Sequence, residues 1–224
     1  LIGQSGVRGY IAPETNTLEK FPYSLDGKNL IIPHKTGDEM FKKLQRNVDI
    51  IEKYNGAYDD RVRITLGPTE PPAGRPEMLR EVRKLSETYK VPITIHAAET
   101  RLERDYIKDE YGRDSIMYLA ENGIIGPDVI YAHTVYASEE EKKLMAETGT
   151  NVAHCPSVFF TRGAYMKSLQ HYTNLGINVG IGTDTFPQDM IREMRLATNL
   201  SKVADQDFRS AKSDLVFRCA TQNG

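Results

Sequence analysis

Short β-branched or apolar runs alternate with longer stretches of helical periodicity along most of this chain, and that alternation limits the folds open to it. The runs Val7–Ile11, Arg61–Leu66, Pro92–His96, Val129–Ala132, Asn151–Ala153 and Asn178–Gly182 read as strands. Between them, Phe41, Leu44, Val48 and Ile51 share one helical face behind Asp38, which is expected to cap the helix. Met78, Val82, Leu85 and Tyr89 form a second apolar stripe, and Ser138 with Glu141 has the spacing of a capping box. Gly123, Gly149 and Gly176 stand where a helix hands over to the next strand.

Strand and helix in strict succession imply a parallel sheet, either open and doubly wound or closed into a (β/α)8 barrel. Periodicity does not separate the two. Residues at the strand ends do, because barrel chemistry gathers at the carboxyl ends of several strands. No linker, low-complexity tract or internal repeat interrupts the series, so residues 1–224 read as one domain. The chain begins with Leu1 and stops at Gln222-Asn223-Gly224 directly after an apolar helical stretch, so further segments are expected at both ends.

Composition narrows the function classes. A formal net charge of -2, with 27% charged and 39% hydrophobic residues, implies no strong attraction to nucleic acid or anionic lipid. No uninterrupted apolar run is long enough to span a bilayer, so no membrane partner is expected. The two cysteines, Cys155 and Cys219, lie far apart without a CxxC pattern, which fits a reducing, cytoplasmic setting.

Four successive strands end in a residue able to bind metal or move protons. His96 closes one and Glu99 follows three positions later, His133 and His154 close the next two, and Asp184 follows Val179-Gly180-Ile181-Gly182-Thr183. A single histidine after a strand is usually a packing residue, and a single aspartate there usually caps a turn. Their recurrence in four consecutive units points to a metal site.

The stretches Thr94-Ile95-His96-Ala97-Ala98-Glu99-Thr100, Ala132-His133-Thr134, Val152-Ala153-His154-Cys155-Pro156 and Gly180-Ile181-Gly182-Thr183-Asp184-Thr185 resemble the amidohydrolase superfamily, in its cytosine deaminase, guanine deaminase and triazine hydrolase branch. The resemblance extends from about strand three of that family's (β/α)8 TIM barrel to the helix after strand eight. It implies His96 as a metal ligand and Asp184 as the carboxylate that binds the metal and takes a proton from its water. Glu99 would carry protons to the substrate, His133 would orient or polarise the group under attack, and His154 would shape the pocket. The implied cofactor is one divalent ion, zinc or alternatively iron, and the implied substrate is a small nitrogen heterocycle. Assembly as a homodimer is open.

The physical logic agrees with these roles. Bound zinc brings the pKa of its water to around 7, and expulsion of an amine needs a proton delivered to the leaving group or ring nitrogen. A two-metal site usually needs a bridging lysine at a strand end, and Arg61–Leu66 leads into Gly67-Pro68-Thr69 without one. The chain also departs from the family pattern. The first-strand His-x-His pair is absent, so either two ligands lie in a segment preceding this sequence or the site is incomplete. Ser157-Val158-Phe159-Phe160 stands where deaminases commonly have a Ser-Asn pair. Phe159 and Phe160 fit either an apolar pocket for a flat ring or the core. His34 and His171 lie outside the pattern and read as exposed or locally bonded.

Two rival readings remain at this level. Gly180-Ile181-Gly182 near Asp184 loosely resembles a dinucleotide fingerprint, but Thr185 occupies the third glycine's place. A non-catalytic barrel acting as a scaffold or binding protein is the other. Gly-x-Ser-x-Gly is absent, which argues against serine hydrolase chemistry.

Overall fold

The computed structural model describes residues 2–19, 24–26 and 29–224. Its strands are β1 (Gly9–Ile11), β2 (Glu14–Thr15), β3 (Ser24–Asp26), β4 (Asn29–Ile31), β5 (Val62–Ile64), β6 (Gly67–Pro68), β7 (Ile93–Ala97), β8 (Val129–His133), β9 (Asn151–His154) and β10 (Val179–Ile181). All six strands read from the sequence are present within a few residues of their expected bounds. The short β2 and β6, and the antiparallel pair β3 and β4, were not legible, because runs of two or three residues carry no measurable period.

The chain divides into two compact units, Leu1–Ile95 with Leu102–Ile124 and His96–Arg101 with Ile125–Gly224. In the first unit β1 lies parallel to β5, and β2 parallel to β6. The helix Lys42–Tyr54 buries Leu44 and Ile51, and the helix Pro76–Tyr89 buries Met78, Leu79 and Val82, as the apolar stripes require. Asp38 does not cap the first of these. A 3-10 segment, Gly37–Phe41, precedes the helix, and Thr36 stands before it in extended conformation without a side-chain cap bond. Asp38 instead lies in the first turn of that segment, where a negative charge faces unpaired N–H groups.

The second unit holds β8, β9 and β10, with β9 parallel to both of its neighbours. Its register pairs Ala132 with Ala153 and Ile181 with His154, so successive strands finish level with one another. The helix Glu139–Thr148 begins with the expected capping box. The Ser138 hydroxyl accepts from the Glu141 N–H at 3.3 Å, and the Glu141 carboxylate accepts from the Ser138 N–H at 2.7 Å. Gly149 ends the helix at φ 72°, a left-handed conformation that glycine adopts without a Cβ clash. Gly123 and Gly176 also have positive φ just past a helix end, as read from the sequence. Among the described residues no helix is long and apolar enough to cross a membrane.

Removing the Ser138 hydroxyl leaves the Glu141 N–H without its side-chain partner. Ser138→Ala is expected to lower unfolding free energy by about 1 kcal/mol, measured by chemical denaturation. An unchanged midpoint would show that the box contributes nothing in this context.

Candidate metal centre

Strand alternation sets the first side chain. In β7 the buried residues are Ile93, Ile95 and Ala97, so Thr94 and His96 fall on the opposite, half-buried face. Ala98 then turns the backbone at φ 48°, and Glu99 follows before the helix Arg101–Tyr111. The Glu99 carboxylate accepts from Nη1 of Arg162 at 3.3 Å.

The end of β8 is more constrained. His133 has φ 79° and Thr134 has φ 51°, two consecutive non-glycine residues in left-handed conformation. Each such residue costs on the order of 1–3 kcal/mol, and for a β-branched threonine the conformation is a clear outlier. The surroundings hold the turn in place. The Thr134 N–H donates to the Ala97 carbonyl at 3.0 Å, and the Tyr136 N–H donates to the Ala98 carbonyl at 2.9 Å. These bonds tie the end of β8 to the end of β7 and bring the two histidines together, with ring centroids 5.2 Å apart and planes 15° from parallel.

His96, Glu99 and His133 each offer a ligand atom within 4.8 Å of the others. Two atoms bound to one ion at about 2.1 Å are at most about 4.2 Å apart, so small side-chain rotations bring the set to coordination distance. His133 Nδ1 is buried and lacks a hydrogen-bond partner, which fits an atom directed at a ligand or cation. Two imidazoles and a carboxylate are the nitrogen and oxygen donors that zinc accepts. The residues present therefore fit the metal implied by the strand-end motifs.

Charge in the site follows burial. His133 is 2% exposed. Burial holds its pKa down to about 3, with His96, Arg162 and His154 adding to the effect, so its ring is neutral at pH 7. His154 is also buried and desolvation lowers its pKa to about 4. Burial pushes the Cys155 thiol up to about 12, reinforced by the charges of Asp184, Glu193 and Glu99, so it remains protonated and a poor nucleophile or ligand at neutral pH.

The remaining sequence-derived residues are distributed unevenly. His154 ends β9 but is not one of the three converging residues. Asp184 is exposed after β10 at φ 56° and is likewise not one of those three. Phe159 is 4% exposed and packs edge-on against His133 at 4.8 Å, whereas Phe160 is 53% exposed. His34 and His171 are locally bonded: one ring nitrogen of each lies 2.6 Å from the Thr17 hydroxyl and 2.7 Å from the Glu139 carboxylate, respectively.

Sequence reasoning missed two residues that shape this region. Arg162 pairs with Glu99 and lies over the Phe159 ring, and nothing in its spacing announces that role. Glu193 is fully buried, and its carboxylate accepts from the Ser157 N–H at 2.9 Å, anchoring the segment after β9. Its position in the first turn of the helix Met190–Asp205 was the available signal.

The profile of the amidohydrolase family matches residues 19–224, and the chain belongs to that family. A 5-methylthioadenosine/S-adenosylhomocysteine deaminase of Thermococcus kodakarensis is 37% identical over 196 residues, covering 86% of this chain and 45% of the relative. An adenosine deaminase from Xanthomonas campestris, solved with bound zinc, superposes with a TM-score of 0.83 at 22% identity, covering 98% of this chain and 47% of the other. Guanine deaminase from C. acetobutylicum, solved with bound guanine, superposes at 0.84 and 22% identity, covering 99% and 52%. The fold is therefore that of the amidohydrolase TIM barrel, and the chain spans about half the length of the curated relatives it matches.

Burial of the neutral histidines sets a pH dependence. An unfolded chain binds a proton at His154 near pH 6.5, whereas folded His154 resists protonation until about pH 4. Its contribution is fully present above pH 6.5 and is lost as pH falls toward 4, with a loss on the order of 3 kcal/mol. His133 adds a similar decline reaching to about pH 3. Metal-free protein is expected to melt at lower temperature across this window, and His154→Gln should remove about half of the slope. An identical slope in wild type and variant would contradict the assignment.

Proposed function

We propose that this chain carries the metal-binding part of an amidohydrolase that removes an amino or related substituent from a nitrogen heterocycle by hydrolysis. The observation that carries this reading is the convergence of His96, Glu99 and His133 within 4.8 Å at the ends of β7 and β8. Membership of the amidohydrolase family supports it, as do relatives and neighbours named as deaminases of adenosine compounds and guanine. Those names favour an aminopurine ring. The family profile over residues 19–224 supports treating residues 1–224 as one hydrolase domain. The two free, buried cysteines fit a cytoplasmic setting.

In this reading His96 and Asp184 hold one divalent ion, zinc or alternatively iron, with His133 joining them as a third ligand at longer range. When bound, such an ion supplies Lewis acidity that makes water a usable nucleophile near neutral pH. Asp184, which follows β10, would take the first proton from the attacking water. Glu99 moves a proton to the ring nitrogen or the departing amine, and Arg162 restrains its carboxylate. Neutral His133 polarises the substituted carbon by hydrogen bonding to the group under attack. His154 shapes the pocket, Phe159 supplies an apolar edge against His133, and exposed Phe160 offers a surface for a flat ring.

Ammonia release from a panel of aminated purines, pyrimidines and triazines tests the reaction class. Release from at least one aminopurine is expected, and none from any member would overturn the reading. Glu99→Gln should retain zinc while lowering kcat by at least ~10²-fold, followed by metal analysis and steady-state kinetics. Unchanged kcat would remove Glu99 from the proton path.

A further inference from the structure

Tyr172 belongs to the helix Leu169–Asn174 and is 1% exposed. Its hydroxyl donates to the Thr134 carbonyl at 2.7 Å, the carbonyl of the second left-handed residue at the end of β8. Lys142 Nζ lies over the ring, 5.2 Å from its centroid. Lys142 is itself nearly buried and donates to Glu139 at 2.7 Å, and Glu139 lies 2.7 Å from His171 on the same helix as Tyr172. The ring is thereby fixed in place while its hydroxyl reaches the strand end.

We propose that Tyr172 is a positioning residue that holds the His133–Thr134 turn left-handed and so aims the His133 imidazole at His96 and Glu99. The inference rests on reading His133 as part of the site. Neither residue of that turn is a glycine, so an external contact must favour its conformation. On one side the Thr134 N–H is tied to the Ala97 carbonyl. On the other, the Thr134 carbonyl accepts from Tyr172 and from the Ala137 N–H at 3.2 Å. The Tyr172 bond reaches the turn from a separate helix. No motif marks it, because a tyrosine in a short helix 38 residues beyond Thr134 has no sequence relation to a strand end.

Tyr172→Phe deletes the hydroxyl and keeps the ring over Lys142. The Thr134 carbonyl retains the Ala137 N–H, so the variant is expected to fold. In metal-free protein the His133 side-chain resonances should shift and broaden in imidazole-detected NMR, a readout that needs neither zinc nor turnover. Zinc affinity, measured by chelator competition, should fall about 3- to 10-fold, the range of one hydrogen bond. Any kcat should fall by a similar factor with KM nearly unchanged.

Thr134→Gly in the Tyr172→Phe background should restore the His133 resonances and most of the zinc affinity, because glycine takes positive φ without a side-chain clash. A lower melting temperature with unchanged His133 resonances and zinc affinity would make Tyr172 merely structural and overturn the proposal. Failure of the double variant to recover would do the same. If wild type binds no zinc, the metal reading fails, while the NMR comparison still decides the role of Tyr172.

Discussion

The level finish of the parallel strands is the constraint on which the rest of the site depends. Register pairs Ala132 with Ala153 and His154 with Ile181, so the residues after these pairs emerge at one edge of the sheet. Side chains as far apart in sequence as His96 and His133 thereby become neighbours, and no helix or loop has to carry the site alone. A one-residue slip in β7 would exchange the faces of Ile95 and His96, burying the imidazole and exposing the isoleucine. The apolar alternation that stabilises the strand also fixes which way its ligand faces.

Backbone reversal at the strand ends completes the arrangement. Ala98, His133, Thr134 and Asp184 all have positive φ, and each lies within two residues of a site position or is one. Strain of this kind persists only where neighbouring contacts outweigh it. Here the Thr134 and Tyr136 N–H groups bond across to Ala97 and Ala98, so sheet pairing continues past the point where the strands formally stop. Burial then determines the chemistry. Neutral His133 beside neutral His154 avoids the repulsion that two imidazolium rings would suffer, and leaves His133 Nδ1 free of any protein partner.

Much of this was legible in the sequence, for reasons that differ between residues. Strands showed because their apolar runs are bounded by turns, and His96, Glu99 and His133 showed because ligand-type residues recur at equivalent strand ends. The Ser138–Glu141 box was legible because its three-residue spacing is itself the physical requirement. Asp38 misled because a 3-10 segment, which spacing does not announce, intervenes before the helix. Adjacent Phe159 and Phe160 looked alike, yet one is buried against His133 and the other is largely exposed, since a helical step of 100° separates their directions. Arg162, Glu193 and Tyr172 act through tertiary contacts 36 to 63 residues distant, beyond any local pattern.

The central claim is that the ends of β7 and β8 form a cation site built on His96. X-ray absorption spectroscopy of the zinc-loaded protein addresses it most directly. The account predicts a nitrogen and oxygen shell at about 2.0–2.1 Å, with imidazole scattering that weakens in His96→Ala. A sulfur shell at about 2.3 Å, or a zinc spectrum and stoichiometry unchanged by His96→Ala, would contradict it.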